Sequence, residues 1–344
     1  VGHFPHFDWS QLWSNGLPVF LWVSGLPYFF LSLVQFFSHS YELAINLIFL
    51  LTITIIILSG YLVVYESTKN RFAAFLSALL GLSLPALWGQ WALGNLSFFL
   101  STAFMTLSWW LVIRYLHQPH PSKKFYFIVL LAITLSVAGD HAVAIISILS
   151  LIFISTWLLG FTRKLYDLIK DLYLPALLLA CFTILPSLAS RIFPSLFGQH
   201  LVVEQTSYPS LNFLDFFHPT SPITDSVTWV AANYGSFLPW LVLPLLGLFF
   251  LLALSHRETK HLPWHNWKIV KTFFFLNLIF AAYGLISYLG FPSRLYHYFL
   301  SPDFSFYFLS LGLPILFGLV YHFAITSKLI RQISFAALTL LILF

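Results

Sequence analysis

Long apolar runs recur along the whole chain, and they restrict its fold more than any other feature. Only 8% of the residues are charged and 59% are hydrophobic, whereas an average soluble domain carries roughly 25% charged residues. So few charges cannot cover a water-facing surface of this size. The apolar runs lie near 17–37, 43–65, 72–93, 96–115, 125–139, 142–160, 172–190, 237–255, 272–290, 304–324 and 333–344. The sequence therefore predicts a polytopic membrane protein.

The same composition argues against two other classes of protein. Disordered chains are poor in large apolar side chains, and this chain has 39 phenylalanines. Its net charge of +5 suggests an anionic partner, but the 16 lysine and arginine residues are spread over short loops and form no patch. We therefore expect no nucleic-acid partner. The single cysteine, Cys181, excludes an internal disulfide.

Each apolar run is expected to form a helix, because lipid offers no hydrogen-bond partner to a free backbone group. We predict an all-α integral membrane protein with about ten transmembrane helices and one outer-face juxtamembrane helical hairpin. The predicted parts are an external loop with this hairpin (1–42), a first helix group (43–190), a large external loop (191–236) and a second helix group (237–344). The last run is shorter than the ~20 residues of a span. We expect the sequence to be a piece of a longer protein, with a span before Val1.

The basic residues predict the orientation of these helices. If every run from residue 43 onward crosses once, the loops place fourteen of the sixteen lysines and arginines on one side: Lys69, Arg71, Arg114, Lys123, Lys124, Arg163, Lys164, Lys170, Arg257, Lys260, Lys268, Lys271, Lys328 and Arg331. Basic loops face the cytoplasm. Only Arg191 and Arg294 lie on the other side, which is therefore the predicted outer face.

The run 17–37 differs from the others because Pro18, Gly25 and Pro27 interrupt it. The orientation requires residues 38–42 to be external. If residues 1–16 are external as well, this run does not cross the membrane. We predict an interfacial helical hairpin that is broken at residues 25–27.

Several short motifs resemble a known family, in the order in which they occur along the chain. They begin with 5–9 (PHFDW), 16–20 (GLPVF) and 26–28 (LPY), and continue with 91–95 (WALGN), 138–141 (AGDH), 232–235 (ANYG) and 291–294 (FPSR). The set resembles the GT-C-type, polyprenyl-phosphate-dependent membrane glycosyltransferases. The nearest pattern is that of the bacterial and archaeal membrane proteins labelled 6-pyruvoyl-tetrahydropterin-synthase-related, a label that implies no pterin chemistry here.

The resemblance implies a function and a location. It implies transfer of a sugar from a polyprenyl-phosphate donor to a glycan, lipid or protein acceptor, on the non-cytoplasmic face of the cell membrane. In this family the catalytic acid lies in the first external loop, just after the first span. That span is absent here, so the usual position of the acid precedes Val1, and Asp8 is the acid that remains in this loop.

Asp8 is the first candidate for a catalytic residue. It follows His3 and His6 in the spacing H-x-x-H-x-D, with Trp9 and Trp13 beside it. A carboxylate here suits deprotonation of an acceptor hydroxyl or, with the two histidines, binding of a divalent ion such as Mg²⁺ or Mn²⁺. The tryptophans suit stacking on a sugar ring. The alternative is an aromatic belt at the membrane interface with solvated polar residues.

Asp140 and His141 form the second candidate site, between two apolar runs. Ionisable residues are costly against lipid, so the pair is expected to face a cavity or the outer surface. A carboxylate beside an imidazole suits acid–base catalysis, metal binding or, through a protonated His141, a lipid phosphate. The alternative is a polar turn that joins two helices.

Arg294, with His297 close by, is the candidate for the donor phosphate, because a guanidinium pairs two donors with phosphate oxygens. Arg191 is a lesser candidate for the same role. The alternative for Arg294 is an ordinary interface anchor. For the whole chain, the alternative is a non-catalytic membrane protein, such as a transporter, a lipid-handling scaffold or a degenerate glycosyltransferase relative.

Overall fold

A computed structural model of the chain describes residues 9–10, 17–18, 26–83, 96–192, 264–286 and 303–326. These ranges are helical apart from short turns and one pair of two-residue strands, which confirms the predicted all-α class. The elements are β1 (Trp9–Ser10), β2 (Leu17–Pro18), α1 (Leu26–Ser38), α2 (Tyr41–Thr68), α3 (Arg71–Ser83), α4 (Leu96–His117), α5 (Lys123–Ala138), α6 (His141–Leu159), α7 (Arg163–Leu168), a π-helical turn (Ile169–Tyr173), α8 (Leu174–Ile192), α9 (Trp264–Ile286) and α10 (Asp303–Thr326).

The predicted apolar runs from residue 43 onward coincide with these helices wherever the structure describes their residues. The run 43–65 lies within α2, and the run 96–115 lies within α4. These two helices are long and apolar enough, by length and composition, to cross a membrane. The runs 237–255 and 333–344, the end of the run 72–93 and the predicted loop 191–236 beyond α8 lie outside the described residues.

The segment 17–37 is only partly helical, as its prolines and glycine require. Leu26 and Pro27, which lie at the predicted break of the hairpin, are the first described residues of helix α1, and Gly25 lies outside the described residues. In the first arm, β2 is extended and pairs antiparallel with β1, with Trp9 opposite Pro18. A helical hairpin is therefore wrong at residues 17–18. Proline has no N–H to donate, which limits it to the edge of such a pair.

Helix α2 contacts helices from both ends of the chain. It packs against α1, α3, α4 and α10, while α4 packs in turn on α5 and α6, and α9 joins α10 to α6. Close approach depends on small residues: Ala73 and Ala74 of α3 and Ala44 of α2 are fully buried. The core is therefore built between helices that lie far apart in the sequence.

A tight turn reverses the chain between α2 and α3. Lys69 has a left-handed backbone (φ 55°), and its N–H donates to the Tyr65 carbonyl at 2.8 Å. Asn70 then caps α3, since its Oδ1 accepts from the N–H groups of Phe72 and Ala73 at 2.9 and 3.2 Å. Such capping satisfies amides that a helix start leaves free.

Serine and threonine side chains in the helices mostly bond to their own helix. Their hydroxyl groups donate to the carbonyl four residues earlier, at 2.6–2.8 Å, in Thr52, Thr54, Ser59, Ser67, Thr68, Ser101, Thr102, Ser108, Thr134 and Thr272. This arrangement satisfies a hydroxyl without water. Thr54 does so although its side chain is on an exposed face of α2.

Large apolar side chains cover the outside of the bundle. Leu50 of α2 is 62% exposed, Phe127 of α5 is 63% exposed and Phe182 of α8 is 87% exposed. Further exposed leucines and one isoleucine lie on the same three helices: Leu43, Leu47, Leu51, Leu58, Ile128, Leu131, Leu174, Leu178, Leu179 and Leu185. Contiguous apolar surface of this kind marks contact with a membrane or a partner.

Candidate functional site

One end of the bundle collects almost all the described cations, and we call it the basic end. The last turns of α2 and α4 meet there, with His117 Nδ1 3.9 Å from Glu66 Oε1. Asn70 Nδ2 lies 3.2 Å from His322 Nδ1 of α10. Ten of the eleven described lysines and arginines lie at this end, namely Lys69, Arg71, Arg114, Lys123, Lys124, Arg163, Lys164, Lys170, Lys268 and Lys271. The loops thus bring the basic residues to one end, as their sequence positions predict.

The start of α8 is joined to the same end by a hydrogen bond across helices. Tyr126 Oη donates to the Asp171 carbonyl at 2.6 Å. Asp171 lies in the π-helical turn, and such a turn shifts the backbone register so that a carbonyl becomes accessible. Tyr173, at the end of this turn, places its hydroxyl 2.5 Å from Ser155 of α6.

The opposite end carries the candidate site, and we call it the acidic end. It brings together the starts of α2, α4, α6 and α10 and the ends of α5 and α9. Aromatic rings fill the space beneath it: the Phe98 ring lies 5.1 Å from Tyr307 and 5.8 Å from Phe308. Glu42, Asp140 and Asp303, the last described by its backbone only, are the acids at this end. The name marks the lack of lysines among the residues described there, since Glu66, Asp167 and Asp171 lie at the basic end.

Asp140 has a defined position in the turn between α5 and α6. Its Oδ1 accepts a hydrogen bond from the Val143 N–H at 3.1 Å, and its carbonyl accepts from Ala144 at 2.8 Å. The carboxylate therefore caps α6 and is fixed at the helix start, where the helix dipole favours a negative charge. This geometry supports the polar-turn reading of the pair and leaves a catalytic role for Asp140 as a prediction.

Close packing holds this turn against α4. A Cβ on Gly139 would overlap the Ser101 hydroxyl group, so any other residue there would require the Ser101 side chain to move. His141 begins α6, and only its backbone is described. The predicted pairing of its imidazole with the Asp140 carboxylate stays a prediction.

The other predicted site residues lie mostly outside the described part of the chain. His3, His6, Asp8, Trp13, Arg294 and His297 are among them. Trp9 is described by its backbone in β1, and Arg191 by its backbone in the last turn of α8. Helix α8 begins at the basic end, so Arg191 lies toward the acidic end, as predicted. Within the described ranges no three histidine, cysteine or acidic residues gather as metal ligands.

Tyr28 is a polar group of the acidic end that sequence reasoning missed. It lies on α1 near Tyr41 and Ser97, and it is 37% exposed. Partial burial raises the pKa of Tyr28, Tyr41 raises it further, and hydrogen bonding to Ser97 lowers it. The hydroxyl is therefore protonated at neutral pH. In the sequence, Tyr28 stands among other aromatic residues, and nothing there indicates that it lies at this end of the bundle.

Another feature that the sequence did not indicate is a small cavity of about 20 Å³ between α2, α3, α4 and α10. Ser77, Thr106 and Ser310 line it together with Gly60 and Pro314. The Ser77 hydroxyl has no partner among the described residues. The space is enough for one water molecule and far smaller than the pocket of a lipid or sugar.

Comparisons with protein-family models, with curated proteins and with solved structures find no match for this chain.

Proposed function

We propose that the chain is a multi-pass protein of the cell membrane with about ten spans, which include α2 to α6 and α8 to α10. The exposed apolar side chains of α2, α5 and α8 support this placement, because lipid is the surrounding in which such a surface is stable. Hydroxyl groups bonded to their own helix, including the exposed Thr54, fit a surrounding without water.

The collection of lysines and arginines at one end of the bundle supports the orientation. Basic residues favour the cytoplasmic side, so the basic end is cytoplasmic and the acidic end lies on the outer face. Helix α1 carries no charged side chain, and its last residues adjoin the start of α2 at the acidic end. In this proposal α1 rests at the outer face beside the start of α2.

We further propose that the acidic end transfers a sugar from a polyprenyl-phosphate donor to a glycan, lipid or protein acceptor. The observation that carries this proposal is the carboxylate of Asp140, held at the start of α6 at the end opposite the cations. The motif resemblance to GT-C glycosyltransferases adds the class of donor and acceptor.

The reaction follows from the chemistry of these groups. A carboxylate at the outer end, Asp140 or Asp8, takes the proton of an acceptor hydroxyl as its oxygen bonds to the sugar C1. The bond between C1 and the donor phosphate oxygen breaks, and the phosphate keeps the electron pair. Arg294, with His297 and Arg191 as further candidates, holds that phosphate through charge-assisted hydrogen bonds. Trp9 and Trp13 stack on the sugar.

The test is sugar transfer by the full chain, reconstituted in vesicles with a labelled polyprenyl-phosphate sugar. Asp140→Asn keeps an N-cap acceptor, because asparagine caps as well as aspartate, but it loses the carboxylate. We expect this variant to remain folded and to lose transfer by about 100-fold or more, the lower range for a general base. Asp140→Ala also loses the cap and about 1 kcal/mol of stability.

Glu42→Gln is the matched control, since it removes an acid from the same end, in the first turn of α2. It should transfer sugar at the wild-type rate. Full transfer by Asp140→Asn would remove Asp140 from the site, and absence of transfer by the wild-type chain with any donor would favour a non-catalytic membrane protein. A chelator such as EDTA tests the proposed Mg²⁺ or Mn²⁺ site at His3, His6 and Asp8.

A further inference from the structure

Three cations from two helices gather where α4 ends and α5 begins. Arg114 lies in the last turn of α4, and Lys123 and Lys124 are the first two residues of α5. All three side chains are exposed. The guanidinium carbon of Arg114 lies 5.8 Å from the centre of the Phe125 ring, directly after Lys124 in the chain. The guanidinium of Arg114 thus lies against the first turn of α5, which carries the two lysines.

Two aromatic rings hold the guanidinium of Arg114 in place. Its carbon lies 5.4 Å from the centre of the Trp110 ring, in addition to its contact with Phe125. The Phe125 ring is itself stacked on Tyr115, with centroids 6.3 Å apart. Cation–π contacts position the group without using its N–H donors. The five donors of Arg114 therefore stay available for a planar acceptor such as a phosphate.

The positive charge of this cluster has no partner within the part of the chain that the structure describes. No carboxylate lies within 4 Å of Arg114, Lys123 or Lys124. Lys69, at the same end, contrasts with them because its Nζ lies 2.9 Å from Glu66 Oε1. Lysines at a helix start are also disfavoured by the helix dipole, and an anion bound between them relieves this repulsion.

The side chains around the cluster indicate which kind of anion it binds. Trp110, Tyr115 and Tyr126 lie around the cluster, and tryptophan and tyrosine concentrate at the level of lipid headgroups. We propose that Arg114, Lys123 and Lys124 bind the phosphate of an anionic phospholipid in the cytoplasmic leaflet. The inference rests on the membrane placement proposed above and is independent of sugar transfer. Charge complementarity selects an anionic headgroup over a zwitterionic one.

The experiment uses the full chain in detergent with an equimolar mixture of phosphatidylglycerol and phosphatidylcholine, and native mass spectrometry counts the lipids that remain bound. Arg114→Gln should lower the preference for phosphatidylglycerol roughly fivefold, the effect of one basic residue near an anionic surface. Lys123→Gln combined with Lys124→Gln should lower it roughly 25-fold by the same arithmetic. Thermal unfolding of each variant checks that it is folded.

Lys69→Gln is the matched control, because it removes one charge from the same end but from an ion pair. It should change the preference less than twofold by the value of an exposed pair. Wild-type preference in the Arg114 and Lys123/Lys124 variants overturns the proposal, as does an equal loss in Lys69→Gln. Loss of the preference when inorganic phosphate is added would assign the cluster to free phosphate. Failure of the chain to float with vesicles would instead refute the membrane placement.

Discussion

The indole N–H of Trp109 donates a hydrogen bond to the hydroxyl of Ser150 at 2.8 Å, between two buried helices. Both side chains are inaccessible or nearly so, at 0% and 2% exposure. The ring of Trp109 also meets Phe273 of α9 edge-to-face, with centroids 5.9 Å apart. The Trp109 side chain thus connects α4 to α6 and α9. Its indole N–H is buried, so solvent cannot take the place of Ser150 as its acceptor.

We expect Ser150→Ala to lower the free energy of unfolding by about 1 kcal/mol, within the range for hydrogen bonds between membrane helices. The reason is that the buried indole N–H then has no acceptor. Ser59→Ala is the control, because the Ser59 hydroxyl bonds only to its own helix, at Ile55. Unfolding in detergent, followed by tryptophan fluorescence, measures both. Equal losses in the two variants would contradict the interhelical role of this bond.

Gly318→Ala should destabilise the bundle by about 1–3 kcal/mol, the usual cost of overpacking. A Cβ there would lie 2.8 Å from the Ala73 carbonyl oxygen and 2.9 Å from Ser77 Cβ, so α10 would have to move away from α3. Gly60→Ala is the matched control, because its nearest neighbours would lie at 3.7 Å. It should be neutral or gain up to about 1 kcal/mol from helix propensity. Thermal unfolding measures the stability of both variants. A Gly318→Ala variant as stable as the wild type would refute the close contact.

Asn70→Ala should lower the free energy of unfolding by about 1 kcal/mol, because α3 loses its cap and the turn loses its contact with His322. Asn70→Ser separates these two effects. Serine still caps the helix but is too short to reach α10. Asn70→Ser should therefore lose less stability than Asn70→Ala. Amide hydrogen exchange in the first turn of α3 is the sensitive readout. Unchanged exchange in Asn70→Ala would show that the cap contributes nothing.

Cysteine labelling tests the orientation of the bundle. In a Cys181→Ser background, which removes the one native thiol, Glu42→Cys places a thiol at the acidic end and Lys164→Cys places one at the basic end. A membrane-impermeant maleimide added to intact cells should label the first variant only. After permeabilisation it should label both. Labelling of Lys164→Cys in intact cells would reverse the proposed orientation.

The apolar runs were enough to predict the long helices that the structure describes, but not α7 (Arg163–Leu168), which lies in a predicted loop. The basic loops predict which helix ends lie together. The site was less predictable because its atoms depend on local geometry. In Asp140 the sequence shows a carboxylate between two apolar runs, which fits catalysis and capping equally well. Only the position of Oδ1 against the Val143 N–H reveals the cap.

The sequence by itself determined the all-α class and the collection of basic residues at one end, because both follow from composition and from the order of runs and loops. The tertiary structure decided which helices are neighbours. Helices that are apolar on every side carry little information about which face is buried. The contact of Gly318 with α3 and the placement of Arg114 between Trp110 and Phe125 depend on shape, and they exist only once the helices are packed.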